Sequence, residues 1–206
     1  MRCKRCLDIV IASIGLLLLG WLILLAAALA WMSSGGSGFF RQERVGRNGK
    51  LFRIVKLRTM RMVNGEQTTA TALGDPRITR VGALLRATKL DELPQFWNVF
   101  WGEMSVVGPR PDVPGFADRL QGKDRNILQL RPGITGLASL VFRHEEELLA
   151  AVDDPDQFNS EIIYPAKVSL NLRYLEDYTL RRDFVYILAT FVPSLRARVA
   201  PAFSAS

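Results

Sequence analysis

Apolar residues are distributed very unevenly along this chain. Residues 9–32 are apolar almost without interruption and carry no formal charge. About 24 helical residues at 1.5 Å rise reach roughly 36 Å, enough to cross the hydrocarbon core of a bilayer. The run is too long for the apolar core of a cleaved secretory leader, and a basic stretch rather than a cleavage site follows it. Residues 33–38, Ser-Ser-Gly-Gly-Ser-Gly, read as a short flexible joint. Apolar positions then alternate over 39–44 and 51–57 around a Gly46-Arg-Asn-Gly49 turn, which predicts two short strands joined as a β-hairpin.

Past the hairpin the pattern turns helical. Residues 63–74 are polar and read as a mobile loop, and 79–88, with Val81, Leu84 and Leu85, as a short basic amphipathic helix. Pro94 suits the first turn of the next helix, where its missing N–H costs nothing. On that helix Phe96 and Phe100, and Trp97 and Trp101, are spaced to meet at i,i+4. Two readings fit these aromatics: core packing, or a belt at headgroup depth, where Trp is favoured. Residues 112–130 read as loop and helix up to a turn at 131–136, 145–152 as a solvated helix, and 166–180 and 183–198 as two further helices. The apolar part of the last, 184–192, is too short to span a bilayer. The expected fold class is α+β: a mostly helical small domain with a short β-hairpin, attached to an N-terminal membrane-embedded helix. The expected division is 1–38 for that helix and its joint, 39–200 for the domain, and 201–206 for a frayed tail.

Charge adds a partner. The 206 residues carry a formal net charge of +7 and a pI near 9.8, so the chain suits an anionic partner: nucleic acid, lipid headgroups or a phosphorylated substrate. Cys3 and Cys6 form one isolated pair with no second pair at zinc-ligand spacing, and they exclude a disulfide-built secreted domain. Basic residues flank both ends of the apolar run: Arg2, Lys4 and Arg5 on one side, Arg41, Arg44, Arg47, Lys50 and Arg53 on the other. A single span usually keeps its basic flank on the cytoplasmic side only, so two such flanks favour a re-entrant hairpin with a bend at Gly15 or Gly20.

The chemistry concentrates in residues 86–111. Asp91 and Glu92 stand side by side just before Pro94, with Lys56, Arg58, Arg86 and Arg110 as surrounding bases. Adjacent carboxylates repel unless a cation or strong donors intervene, and Mg²⁺ takes oxygen ligands together with substrate phosphates. One carboxylate could hold the metal while the other attacks phosphorus, with the bases neutralising non-bridging oxygens. Spacing alone favours an acidic pair complementing a helix dipole, with surface arginines around it. Lone His144 reads as a surface residue rather than a catalytic base.

Six motifs in the same order narrow these alternatives. Phe40-Arg-Gln42, Phe52-Arg-Ile-Val-Lys-Leu-Arg-Thr-Met60, Asp75-Pro-Arg-Ile-Thr79, Leu90-Asp-Glu-Leu-Pro-Gln95, Gly108-Pro-Arg-Pro111 and Arg131-Pro-Gly-Ile-Thr-Gly-Leu-Ala138 together resemble the bacterial sugar transferase family of small monotopic phosphoglycosyl transferases. The resemblance implies transfer of a sugar 1-phosphate from a UDP-sugar to polyprenol (undecaprenyl) phosphate, with release of UMP and a requirement for Mg²⁺. It implies that Asp91 is the nucleophile, that Glu92 with Asp91 holds the metal, and that Lys56, Arg86 and Arg110 contact phosphate. Arg58, Pro111, Arg131 and Thr135 are further candidate substrate contacts. The implied setting is the cytoplasmic face of a bacterial inner membrane, with the lipid bilayer and a homodimer as candidate partners and no nucleic acid. In the family the N-terminal helix is re-entrant and broken at a Ser-Pro pair; the corresponding position here reads Gly20-Trp21, and Ala87 and Lys89 also depart from the family pattern.

The competing expectation is a non-enzymatic, membrane-anchored basic module that binds anionic lipid or nucleic acid. It leaves unexplained why two carboxylates sit among the bases. The topology is testable directly. A hairpin leaves Cys3 on the domain's side of sealed vesicles, whereas reactivity of Cys3 only from the opposite side refutes it.

Overall fold

The structure, a computed structural model, describes residues 2–61 and 75–201. The expected loop at 63–74 and the expected tail at 202–206 lie outside the described residues. The chain packs as two compact units: residues 1–44 with 51–104, and residues 45–50 with 105–206.

In the first unit, helix α1 (Arg2–Ser34) leads into the two-stranded sheet of β1 (Phe39–Val45) and β2 (Leu51–Leu57). The connection between the strands is too short for anything but an antiparallel hairpin. Helix α1 runs as one helix through both Gly15 and Gly20. Gly15 is where the Phe96 ring approaches: a Cβ there would sit 3.1 Å from that ring. Only 17% of the apolar window of α1 is buried, which is not how the core helix of a soluble protein behaves. Its buried positions include the small residues Ala12, Ala26, Ala27 and Ala30 alongside Ile23, while Leu17, Leu18, Trp21, Leu24, Leu25, Trp31 and Met32 face outward.

Contacts along α1 follow a strict order. Near its start, Arg5 donates to the carbonyls of Val99 (2.6 Å) and Phe100 (2.7 Å). Gly15 meets Phe96. Ile23, Ala26, Ala27 and Ala30 form a cluster with Leu57 and Leu85, against which Leu90 and Leu93 pack. Near its end, the Ser33 hydroxyl lies 3.3 Å from that of Thr79. Helix α1 therefore runs antiparallel along residues 79–102, and the acid pair lies between the points where its two ends attach.

Helices α2 (Arg80–Ala87) and α3 (Gln95–Trp101) complete this unit. Thr79 caps α2 by accepting the Gly82 N–H at 2.9 Å. Asp75 grips both the backbone N–H and the guanidinium of Arg77, and these bonds hold its carboxyl near pKa 2, well below the usual range. The aromatic run of α3 settles the two sequence readings unevenly. Phe96 turns in toward Gly15, while Trp97, Phe100 and Trp101 stay exposed and pack on one another with ring centroids 5.8 to 6.5 Å apart.

The second unit is built on β3 (Ser105–Val107) and β4 (Gly133–Thr135), which pair in parallel with Ser105 opposite Gly133 and Val107 opposite Thr135. The sequence had suggested a turn at 131–136. Three-residue strands with almost every position buried leave no alternation to read. Short helices α4 (Leu137–Val141), α5 (Glu145–Ala150) and α6 (Pro155–Phe158) follow. A π-helical turn over Asn159–Ile163 then leads into α7 (Tyr164–Glu176). The single helix expected over 183–198 is two, α8 (Leu180–Phe191) and α9 (Pro193–Val199), because Pro193 pushes Val192 out of the helical region. His144 is exposed beside Glu147 at 2.9 Å, as a surface histidine should be.

Glycine at position 82 is obligatory. A Cβ there would fall 1.9 Å from the Thr59 carbonyl oxygen, so Gly82→Ala must push α2 off the segment that follows β2. Urea melts should show a loss of roughly 1–3 kcal/mol, and unchanged stability would contradict this packing.

Candidate active site

A 3₁₀ turn over Leu90–Glu92 carries the acid pair. Helix α2 ends just before it, and Lys89 takes φ +57°, a left-handed conformation that usually falls to glycine or asparagine at a helix end. That single residue swings the chain from α2 into the tight turn, and Pro94 then starts the direction of α3 with φ −60°. Asp91 and Glu92 therefore sit in a bend between two helices rather than on the first turn of one.

The two carboxylates are used differently. Glu92 accepts from Lys56 Nζ at 3.0 Å, and both side chains are largely buried. Asp91 is only 9% exposed, and its Oδ1 has no hydrogen-bond partner. Burial pushes the Asp91 carboxyl above its ordinary pKa, the Glu92 charge pushes it further, and Lys56, Lys89 and Arg86 oppose both. A buried, unpartnered carboxylate oxygen is costly to keep.

Arg86 is aimed by a residue that the sequence reading had not singled out. Its Nε donates to the Thr59 hydroxyl at 3.0 Å, and Thr59 is 7% exposed. The signal was available in the Leu57-Arg-Thr-Met60 run, where Thr59 interrupts otherwise apolar or basic positions. Arg58 goes elsewhere: its Nε donates to the Ser37 carbonyl at 2.7 Å and its guanidinium lies over Phe40. It ties the joint after α1 to the hairpin.

The structure thus brings Lys56, Arg86, Asp91 and Glu92 together in the first unit. Arg110, Pro111, Arg131 and Thr135 belong to the second. There the Gly108 N–H donates to Thr135 O at 2.9 Å and the Gly133 N–H to Pro109 O at 2.7 Å, so the two proline-glycine motifs lie side by side. A Cβ on Gly108 would meet Arg131 O at 2.2 Å, and one on Gly136 would meet Gly108 O at 2.2 Å, so only glycine permits the approach. Arg110 is exposed and Pro111 buried. The Thr135 hydroxyl lies 2.8 Å from that of Thr190.

Asp91 and Glu92 supply the oxygen donors that Mg²⁺ prefers, and the unpartnered Asp91 Oδ1 fits a place for a cation or an electrophile. Among the described residues no three His, Cys, Asp or Glu side chains gather. Mg²⁺ needs no such cage, because it usually keeps waters and leans on substrate phosphates.

A model of the family described as bacterial sugar transferase matches residues 1–197. The exopolysaccharide production protein ExoY of Sinorhizobium fredii is 34% identical over 204 residues, covering 91% of this chain and 83% of that protein. A UDP-glucose:undecaprenyl-phosphate glucose-1-phosphate transferase of Caulobacter vibrioides is 37% identical over 196 residues, covering 93% of this chain and 69% of that one. A Bacillus subtilis protein named as a putative undecaprenyl-phosphate N-acetylgalactosaminyl 1-phosphate transferase is 42% identical over 122 residues, covering 58% of this chain and 68% of its own.

The raised pKa of Asp91 has a consequence for stability. The folded state holds a proton more tightly than the unfolded chain, so burial of Asp91 is tolerated below the ordinary carboxylate pKa and becomes costly as pH rises through the folded value. Asp91→Asn should therefore raise Tm by a few degrees at pH 7, with the gain shrinking toward acid pH. A variant less stable than the wild type at pH 7 would contradict this environment.

Proposed function

The chain belongs to the bacterial sugar transferase family, and on that premise we propose that it moves a sugar 1-phosphate from a UDP-sugar to undecaprenyl phosphate. The names of its relatives support this chemistry. The observation that carries the assignment to residues is the buried Asp91 carboxylate, whose Oδ1 is left without a partner. Asp91 Oδ1 attacks the β-phosphorus, and the bond from that phosphorus to the bridging oxygen breaks. UMP leaves with that oxygen, and Asp91 carries a sugar phosphate. An oxygen of undecaprenyl phosphate then attacks the same phosphorus, freeing Asp91 and giving the undecaprenyl-diphosphate sugar. Neither step consumes a proton from the site, so no histidine base is required.

Splitting the transfer suits these substrates. A soluble, highly charged donor and a lipid acceptor never need to occupy the site together. Lys56 and Arg86 lie where they can neutralise charge on the transferring phosphoryl group, and Arg110 is assigned the same task on its motif. Glu92, with Asp91, would hold Mg²⁺, which supplies charge neutralisation on the diphosphate. The relatives are named for different sugars, and the proposed donor is a UDP-sugar without further restriction.

The setting proposed is the cytoplasmic face of the membrane, with both ends of α1 on that side. The ends of α1 attach to the same unit as the acid pair, and the pair lies between them. Driving α1 straight through a bilayer would carry Asp91, Glu92 and Lys56 into hydrocarbon, where ionised groups are expensive and a UDP-sugar is absent. Embedding its exposed leucines and tryptophans from one side keeps the site at headgroup level.

Mixing the protein with a UDP-sugar panel, Mg²⁺ and undecaprenyl phosphate should release UMP. Asp91→Asn should reduce that release by about three orders of magnitude or more, as expected for loss of a covalent nucleophile. Chelation should stop it and added Mg²⁺ restore it. Near-normal turnover by Asp91→Asn removes the nucleophile assignment. No UMP release at all, with a steeply salt-dependent affinity for any nucleic acid, favours a basic binding module instead.

A further inference from the structure

Asn98 is the lone polar side chain in the run Phe96-Trp97-Asn98-Val99-Phe100-Trp101, yet it is only 1% exposed. Its amide oxygen accepts the Val55 N–H at 3.0 Å. Its amide nitrogen donates to Arg53 O at 2.8 Å and to Glu103 Oε2 at 2.7 Å. The Val55 N–H donor and the Arg53 carbonyl acceptor on β2 are two residues apart, which is the spacing a neighbouring strand would satisfy. The Asn98 amide thus takes the place of a third strand on the edge of β2. The residue that follows Val55 is Lys56, whose ammonium meets Glu92 at 3.0 Å. A slip of β2 by one two-residue repeat would move Lys56 by roughly 7 Å, well beyond reach of the acid pair.

We propose that Asn98 is a positioning residue for the reaction: it locks the register of β2 against α3 so that Lys56 falls on the Asp91-Glu92 turn. This rests on the reading of that turn as the reacting site, so the test has one arm that needs no catalysis. Carbodiimide joins a lysine and a carboxylate only when they touch, and peptide mapping of the full chain should find a Lys56–Glu92 amide. Asn98→Asp keeps the shape and the acceptor but loses both donated bonds, and should lower the yield of that cross-link at least five-fold. Asn98→Ala, which strands two buried backbone groups, serves where it folds. Glu103→Ala, at an exposed residue, frees one amide hydrogen and should lower the yield about two-fold.

The second arm is UMP release. Asn98→Asp should lower kcat about 10- to 100-fold per folded molecule, but less than three-fold further in a Lys56→Ala background. A role confined to stability would lower Tm and leave both the cross-link and kcat per folded molecule unchanged; that result overturns the proposal. Loss of the cross-link in the Asn98 variants of a protein that never releases UMP would sustain the positioning role and sink the transferase reading.

Discussion

The structure around position 91 is organised by one unfavourable arrangement: a buried carboxylate set beside a second one. Ionised, Asp91 has a buried Oδ1 with no protein donor, and its neighbour Glu92 repels it. The nearby features act against that cost. Lys56 engages Glu92 directly, and Lys89 and Arg86 add positive charge nearby. Lys89 also accepts a backbone conformation that its side chain disfavours, in order to make the turn. Stability given up at such a place is how a fold keeps a side chain reactive.

Helix α1 does more than hold the protein at a membrane. Its small residues let the backbone of the first unit come close. A Cβ on Gly38 would fall 2.0 Å from Ala27 O, and Ala12 and Ala30 are fully buried. Arg5, which by charge alone would be read as a headgroup anchor, instead satisfies the last carbonyls of α3. The apolar helix and the acid turn are consequently parts of one packed unit, and the exposed apolar side chains of α1 are fixed relative to the Asp91 carboxylate.

Much of this was legible in the sequence. The hairpin, the amphipathic helix near Thr79 and the apolar N-terminal helix all rest on periodicity or on turn chemistry, which act locally. The acid pair stood out because carboxylates among arginines need a reason. The parallel pair of β3 and β4 was not legible. It joins residues nearly thirty positions apart through strands too short to show a pattern, and the glycines that permit the approach look like ordinary turn residues. The roles of Asn98 and Thr59 were hidden for a related reason. Each acts through a bond to a residue distant in sequence, and no local rule predicts which buried polar side chain will find which partner.

The account turns on Asp91 forming a bond to phosphorus, and the most direct measurement is the intact mass of the protein after mixing with UDP-sugars in the absence of lipid acceptor. The account predicts a gain of one sugar phosphate with one of the donors, carried by the peptide that contains Asp91 and discharged when undecaprenyl phosphate is added. An unchanged mass while UMP is being released, or a gain mapped to any other side chain, would contradict it.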